Sequence, residues 1–277
     1  AGDQTTVEQR IEGFNLSAFK KGTSSAEKYT LAFWVKANKT GSNLQVNLRD
    51  NTNDRQIGGT YSIASADTWE HKVINFAADT SGPFADVSTA ELLVEWFLDG
   101  GGNYSGGAVP TAWESKANGD RNVTNFDLAG STNNDWAITG VQLEVGEFSS
   151  TTLPPFQFED FGDNLARCQR YFYLNNTVDA SMPFASGVVN GTTNSRAVMR
   201  HPQPMRDQPT MGRSDNTHFK VYCGSTNVDS TNVAFYYPNN YQALLYVDVS
   251  SGLTNGQGAV IIDDGGGNAY IQGDAEL

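Results

Sequence analysis

Glu95 interrupts the apolar run LVEWFL beside Trp96, and a carboxylate in that setting raises the question of acid and base chemistry. Glycoside cleavage needs two such groups several Å apart, one to protonate the leaving oxygen and one to attack or to activate water. The sequence marks no partner carboxylate that must meet Glu95, and the residue reads as a solvent-facing Glu on the open face of a sheet. His71, His201 and His218 stand apart from one another and from any cysteine at ligand spacing, so each reads as a surface or strand histidine. Serines are abundant, yet no GxSxG elbow and no Ser, His and acid set is spelled out. The runs DNTND from Asp50 and DDGGGN from Asp263 hold the oxygen ligands that calcium prefers, but they follow no EF-hand spacing and read as Asx-rich turns. Asp135 and Glu144 border or lie on a late strand of the first domain. The expectation is a chain with no catalytic residues and no cofactor, with structural calcium the one ion its donors leave room for.

Sugar binding asks for other residues: aromatic planes for the apolar faces of the ring, and amides, carboxylates or guanidinium groups for its hydroxyls. Two sets qualify. In YTLAFWVK (29–36), Leu31, Phe33 and Val35 share one face and Thr30, Ala32, Trp34 and Lys36 the other. In the run 44–49, Leu44, Val46 and Leu48 point inward and Gln45, Asn47 and Arg49 outward. If the two strands are neighbours, Trp34, Gln45, Asn47 and Arg49 form one outward glycan-binding face; the competing reading covers Trp34 with a loop or a neighbouring subunit. Trp69 and Trp136 begin strands and read as packing residues. The second set is YYPNNY, where Tyr236, Tyr237, Asn239, Asn240 and Tyr241 surround a turn restrained by Pro238. It reads either as an exposed binding tip or as a hairpin with ordinary cross-strand tyrosines.

The elements that must position these residues are strands. Short apolar runs separated by Gly, Asn, Thr and Ser clusters predict an all-β fold, and 277 residues suit two β-sandwich or jelly-roll domains. Alternation predicts strands at 6–11, 29–36, 44–49, 56–63, 69–76, 92–98 and 141–145. Later candidates are 196–199, 218–223, 233–237, 243–249, 258–262 and 269–272. A long loop from Asp99 to Asp135 carries Tyr104, Trp113 and Phe126. Pro154-Pro155 cannot continue a central strand, which places the domains at 1–155 and 156–277. The stretch DFGDNLARCQRYFY (160–173) predicts a short helix joining them, capped by Asp160 or Asp163, with Leu165, Cys168 and Phe172 on one stripe that seals the end of a sandwich.

Charge narrows the partners. Eighteen Lys and Arg against 31 Asp and Glu give −13, so a phosphate-backbone footprint is excluded and nucleic acid is not an expected partner. No apolar stretch reaches the length of a membrane span, so membrane insertion is not expected either. The two cysteines, Cys168 and Cys223, read as buried thiols more readily than as a disulfide.

The stretches QRIEGFNLSAFKKGTSSAEKYTLAFWVKANKTG, TWEHKVINF and DWAITGVQLEVGEFSSTTLPPFQFEDFGDNLARCQRYFY resemble a module that recurs in bacteriophage tail fibres and other virion proteins, across residues 6–173. The closing GDAEL resembles the natural C-terminus of that group. The resemblance implies a first domain similar to the carbohydrate-binding jelly rolls of polysaccharide hydrolases and a more variable second β domain. It further implies a place on the extracellular virion surface, a homotrimer contacting other virion proteins, and binding of a host-surface glycan without cleavage. The family module carries extra strands upstream of QRIEG, so the resemblance implies either a truncated first domain or a first sheet completed by a neighbour. A purely structural virion part is the alternative, and a polysaccharide-degrading enzyme or its binding module a third.

Overall fold

A computed structural model describes residues 2–276; Ala1, and Leu277 of the GDAEL end, lie outside the described residues. The fold is all-β, as expected, and the chain divides into two compact units between Gln157 and Phe158.

The first unit contains β1 (Gln4–Glu12), β2 (Tyr29–Ala37), β3 (Gly41–Asp50), β4 (Arg55–Ile63), β5 (Glu70–Phe76), β6 (Ala90–Gly100), β7 (Glu114–Ser115) and β8 (Trp136–Val145). A five-stranded sheet, β1-β6-β3-β4-β7, faces a three-stranded sheet, β5-β2-β8. Neighbours pair antiparallel throughout. The period of two decides the core: Leu31, Phe33 and Val35 of β2 and Leu44, Val46 and Leu48 of β3 are all buried, together with Leu92, Val94 and Trp96 of β6. Phe33 sits edge-on to Tyr61 and Trp96, with ring centroids 5.1 and 5.8 Å away. A side chain of this kind contributes roughly 1.5–3 kcal/mol when fully buried, so this alternation dominates the unit's stability.

One margin of this sandwich is closed by charge. Lys21 Nζ donates to Asp50 Oδ2 at 2.5 Å and to the carbonyls of Ser81 and Gly82 at 2.9 and 2.5 Å. It also lies 3.1 Å from Asp79 Oδ2, and its side chain is fully buried. The DNTND run closes as the expected turn, with Asp50 Oδ1 accepting from the amides of Thr52 and Asn53.

The second unit holds α1 (Phe161–Gln169), β9 (Phe172–Asn176), β10 (Pro183–Val189), β11 (Asn194–Arg200), β12 (Thr210–Arg213), β13 (Phe219–Cys223), β14 (Thr226–Tyr236), β15 (Gln242–Val249), β16 (Gly258–Asp263) and β17 (Tyr270–Asp274). Its architecture differs from the expected sandwich. Six strands close on themselves in the order β10-β11-β15-β14-β13-β16, and β12-β17-β9 form a separate three-stranded sheet. Closure depends on β10, which pairs with both β11 and β16. PFASGVV has no apolar alternation, which is why the strand escapes sequence reading. Gly187 permits the close approach, since a Cβ there would lie 1.9 Å from the Arg196 carbonyl oxygen. A closed barrel leaves no sheet edge open to other chains.

The DDGGGN run caps this barrel as an Asx turn. Asp263 Oδ1 accepts from the amides of Gly265 and Gly267 at 2.8 and 3.0 Å. Its Oδ2 accepts from the Thr177 hydroxyl and the Ala269 amide at 2.9 and 3.1 Å. Asp160 caps α1 by accepting from Gly162 N at 2.8 Å. The helix buries none of its residues, so it does not seal a sandwich end as expected. For the same reason Cys168 is exposed rather than buried; Cys223 is buried, and both are free thiols.

Candidate functional site

The expected face of Trp34, Gln45, Asn47 and Arg49 does not exist as one surface. β2 and β3 are consecutive in sequence but belong to opposite sheets, so Trp34 faces outward from one sheet while the other three residues face outward from the other. Gln45 and Asn47 are moreover buried, at 0% and 1% exposure. The long loop after β6 covers them and uses them as adapters. Gln45 Nε2 donates to the Asp120 carbonyl, Gln45 Oε1 accepts from Val123 N, and Asn47 Nδ2 donates to the Arg121 carbonyl, at 2.6, 3.0 and 2.8 Å.

Glu95 lies beneath the same loop, 1% exposed, and this corrects its reading as a solvent-facing residue. Arg49 Nη1 donates to its Oε1 at 2.9 Å, and Arg121 adds a two-pronged contact to both carboxylate oxygens. Arg121 in turn lies over the rings of Phe97 and Tyr104 at 5.2 and 5.3 Å. A carboxylate whose two oxygens both accept from guanidinium groups is committed to a structural clamp.

Trp34 is 44% exposed and stacks beside His71, with ring centroids 5.0 Å apart. Trp69, expected to pack, is 42% exposed with the Lys36 ammonium 5.7 Å from its ring centre, whereas Trp136 packs against the core edge. The outer face of the β5-β2-β8 sheet therefore displays two indoles.

The YYPNNY segment makes the most exposed aromatic feature of the predicted sites. β14 ends at Tyr236 and β15 begins at Gln242, so the five residues between them form the turn. Pro238 fixes its own φ, and Tyr237 before it takes the left-handed conformation at φ 51°, which is unusual for a bulky residue. The asparagines hold this shape. Asn239 Oδ1 accepts from the amides of Tyr241 and Gln242 at 2.9 and 3.2 Å, and Asn240 Nδ2 donates to the Met205 carbonyl at 3.2 Å. One end of each amide is thus committed within the fold, the oxygen of Asn239 to the turn and the nitrogen of Asn240 to the segment beneath it. Around them Tyr236, Tyr237 and Tyr241 are 46%, 80% and 68% exposed.

A second segment pins the turn from below. The amides of Met205 and His201 donate to the carbonyls of Asn240 and Tyr241 at 2.7 and 3.0 Å. His201 Nε2 lies 2.9 Å from the Asn239 carbonyl, and its Nδ1 lies 2.9 Å from the Tyr173 hydroxyl. A carbonyl only accepts, so Nε2 carries the proton and the Tyr173 hydroxyl donates to Nδ1. Burial pushes the His201 pKa below the ordinary imidazole range, opposed in part by the bond to Asn239, and the ring is neutral at pH 7. The three histidines were read as surface or strand residues; His201 is instead an 8% exposed clamp. The Tyr173 hydroxyl is likewise held protonated by burial.

The barrel wall extends the tip. Tyr236 lies 4.6 Å from Tyr246 and 6.2 Å from Tyr237 between ring centroids, and the Arg196 guanidinium stands 4.6 Å over Tyr246. Arg196 and Tyr246 face each other across β11 and β15. Sequence reading missed both. Tyr246 was within reach, because Leu245 and Val247 are buried and the period of two turns Tyr246 outward. Together the wall and tip offer aromatic planes in series with one cation.

No protein-family model and no curated protein matches the chain. Among solved structures it is similar to the crystal structure of the PBSX exported protein XepA, at 9% sequence identity and a TM-score of 0.22, over 99% of this chain and 82% of that one.

Proposed function

We propose that this protein is a non-catalytic virion-surface component, a tail fibre segment, that binds a host-surface glycan through the YYPNNY tip and the adjoining barrel wall. The virion setting rests on the resemblance of the 6–173 segments. The observation that carries the binding site is the combination of 80% and 68% exposed rings at Tyr237 and Tyr241 with a turn whose backbone is hydrogen-bonded from beneath by His201 and Met205. A pre-ordered turn loses little entropy on binding, and tyrosines bring contact area with few rotatable bonds. Arg196 over Tyr246 supplies donors for sugar hydroxyls or an acidic substituent. The non-catalytic reading is supported by Glu95 and Asp263, whose oxygens are engaged by guanidinium groups and by backbone amides.

The test is binding to an array of bacterial lipopolysaccharide and capsule oligosaccharides by wild type and the Tyr237→Ala/Tyr241→Ala double variant. Each truncation should weaken binding by about 1 kcal/mol, so together by about 30-fold, with the melting temperature unchanged. Full binding by a folded double variant sinks this site. The second reading places it on the Trp34 and Trp69 face, favoured by those half-exposed indoles, and Trp34→Ala distinguishes the two. Release of new reducing ends from the bound polysaccharide would make the protein an enzyme.

A further inference from the structure

β11 turns its residues alternately inward and outward: Ala197 and Met199 are buried in the barrel, while Val198 and Arg200 are exposed. A pocket of about 310 Å³ lies here, lined by Val198 and Arg200 together with Leu174 and Asn175 of β9, Phe184 of β10 and Gln169 at the end of α1. Small-molecule pockets run from roughly 300 to 1,000 Å³, so this one suits a single substituted ring. Its lining is mixed in the way a sugar ring requires, with Leu174, Phe184 and Val198 apolar and the amides of Gln169 and Asn175 polar. No lining residue is acidic, and Arg200 supplies the pocket's one cation. The side chains of Arg200, Gln169 and Asn175 make no hydrogen bond or ion pair among the described residues. Other arginines of this acidic chain differ: Arg10, Arg49, Arg55, Arg121 and Arg167 each meet a carboxylate. An unpaired guanidinium beside two unpaired amides is a donor set without an internal acceptor, and it matches an oxyanion.

We propose that this pocket is a second subsite beside the YYPNNY tip and takes a sugar ring bearing one negative charge, with the anion on Arg200 and ring hydroxyls on Gln169 and Asn175. The anion is a carboxylate or a phosphodiester, which share the singly charged oxygens that a guanidinium grips. The inference rests on the glycan reading above and narrows it to an acidic glycan. Connectivity supports it. Arg200 immediately precedes His201, whose amide donates to the Tyr241 carbonyl at 3.0 Å. Tyr173, which also lines the pocket, lies 2.9 Å from the His201 ring. Across the ladder Arg200 pairs with Gln242, the residue after Tyr241, so tip and pocket are neighbours. Charge limits the ligand in turn. One guanidinium neutralises one negative group, and a ring carrying more would meet the −13 of the chain uncompensated.

The test is binding of the full chain to acidic bacterial polysaccharides before and after neutralisation, by reduction of their carboxylates to alcohols in one arm and removal of their phosphate in the other. Wild type should bind the acidic form about tenfold more tightly than the neutralised one, as expected for one hydrogen-bonded charge. The arm that removes this preference identifies the anion. Arg200→Gln should bind both forms alike, at the neutralised level and with an unchanged melting temperature, and Arg200→Lys should keep part of the preference. Equal binding of both forms by wild type overturns the pocket and, where Tyr237→Ala/Tyr241→Ala abolishes that binding, leaves the tip reading intact. A preference that survives Arg200→Gln and disappears in Arg196→Gln also overturns it, by placing the anion on the barrel wall. Absence of binding to every glycan, acidic or neutral, overturns the glycan reading and this inference with it.

Discussion

Replacing His201 by Ala removes the group that ties the YYPNNY turn to the body of the barrel unit. Two side-chain hydrogen bonds go with it, from the Tyr173 hydroxyl and to the Asn239 carbonyl, both at 2.9 Å. Each is worth about 1 kcal/mol net, and the Tyr173 hydroxyl, at 6% exposure, is left buried without a partner at a further cost of about 1 kcal/mol or more. The loss should be about 3 kcal/mol in urea denaturation followed by tyrosine fluorescence, and glycan binding should weaken as the turn loosens. His201→Gln offers an amide to Asn239 and an oxygen to Tyr173, and should recover about half. A pH series separates the clamp from simple packing. The folded-state pKa is depressed, so below the unfolded value of about 6.5 the unfolded chain binds the proton first. The contribution of His201 is therefore fully present above pH 6.5 and declines as the pH falls below it. His201→Gln should lack that slope. A loss below 1 kcal/mol in the Ala variant, or matching pH dependence of wild type and the Gln variant between pH 5 and 8, would refute the clamp.

Three further expectations follow from buried charges. Burial alone would raise the Asp263 pKa, but donation from Gly267, Gly265, Ala269 and Thr177 outweighs it and holds the group at about 2, below its ordinary 3.8. Its stabilisation of about 2 kcal/mol is present above pH 4 and lost as the pH falls through 2, so acid unfolding of the barrel unit should shift upward in pH in Asp263→Asn; an unmoved transition counts against the staple. Lys21→Met leaves Asp50 and Asp79 with one cation fewer in a buried site, and should lower stability by about 3–5 kcal/mol; a change under 1 kcal/mol would show that the pair contributes nothing net. Arg121→Ala leaves Glu95 bonded to Arg49 alone, and should cost about 2 kcal/mol while speeding amide exchange across 101–128; unchanged protection there would mean that the loop is held by other contacts.

How much of this was legible depends on the range of the determining contact. β2, β3 and β6 show their inward residues in the alternation of Leu31, Phe33 and Val35, Leu44, Val46 and Leu48, and Leu92, Val94 and Trp96, because the period of two is a local property. Alternation names the face of a strand but not its sheet, and that gap produced the mistaken grouping of Trp34 with Gln45. The helix was readable from its Asp-rich start and apolar spacing, which left its cap between Asp160 and Asp163, and the structure has Asp160 as the cap. His201 was not: its partners lie 28 residues upstream at Tyr173 and 38 downstream at Asn239, and a solitary histidine carries no sign of either. The burial of Gln45 and Asn47 was hidden for a related reason. The Gly- and Asn-rich loop that covers them binds through backbone groups, which leave no mark in side-chain chemistry.

For the proposed glycan, hydrogen-bond exchange favours the tip over the polar sheet face. On the β3 and β6 face, Gln45, Asn47, Glu95 and Arg121 already hold one another or the loop backbone. A ligand hydroxyl entering there exchanges one hydrogen bond for another, a change near zero, and must first lift the loop. At the tip Asn239, Asn240 and His201 hold the turn, and the rings of Tyr237 and Tyr241 face water. Covering about 100 Å² of ring surface returns about 2.5 kcal/mol gross for each tyrosine, with no intramolecular bond to break. Binding energy is available where the fold has fixed the backbone and left apolar planes wet, and of the sites marked by the sequence the YYPNNY turn meets both conditions most fully.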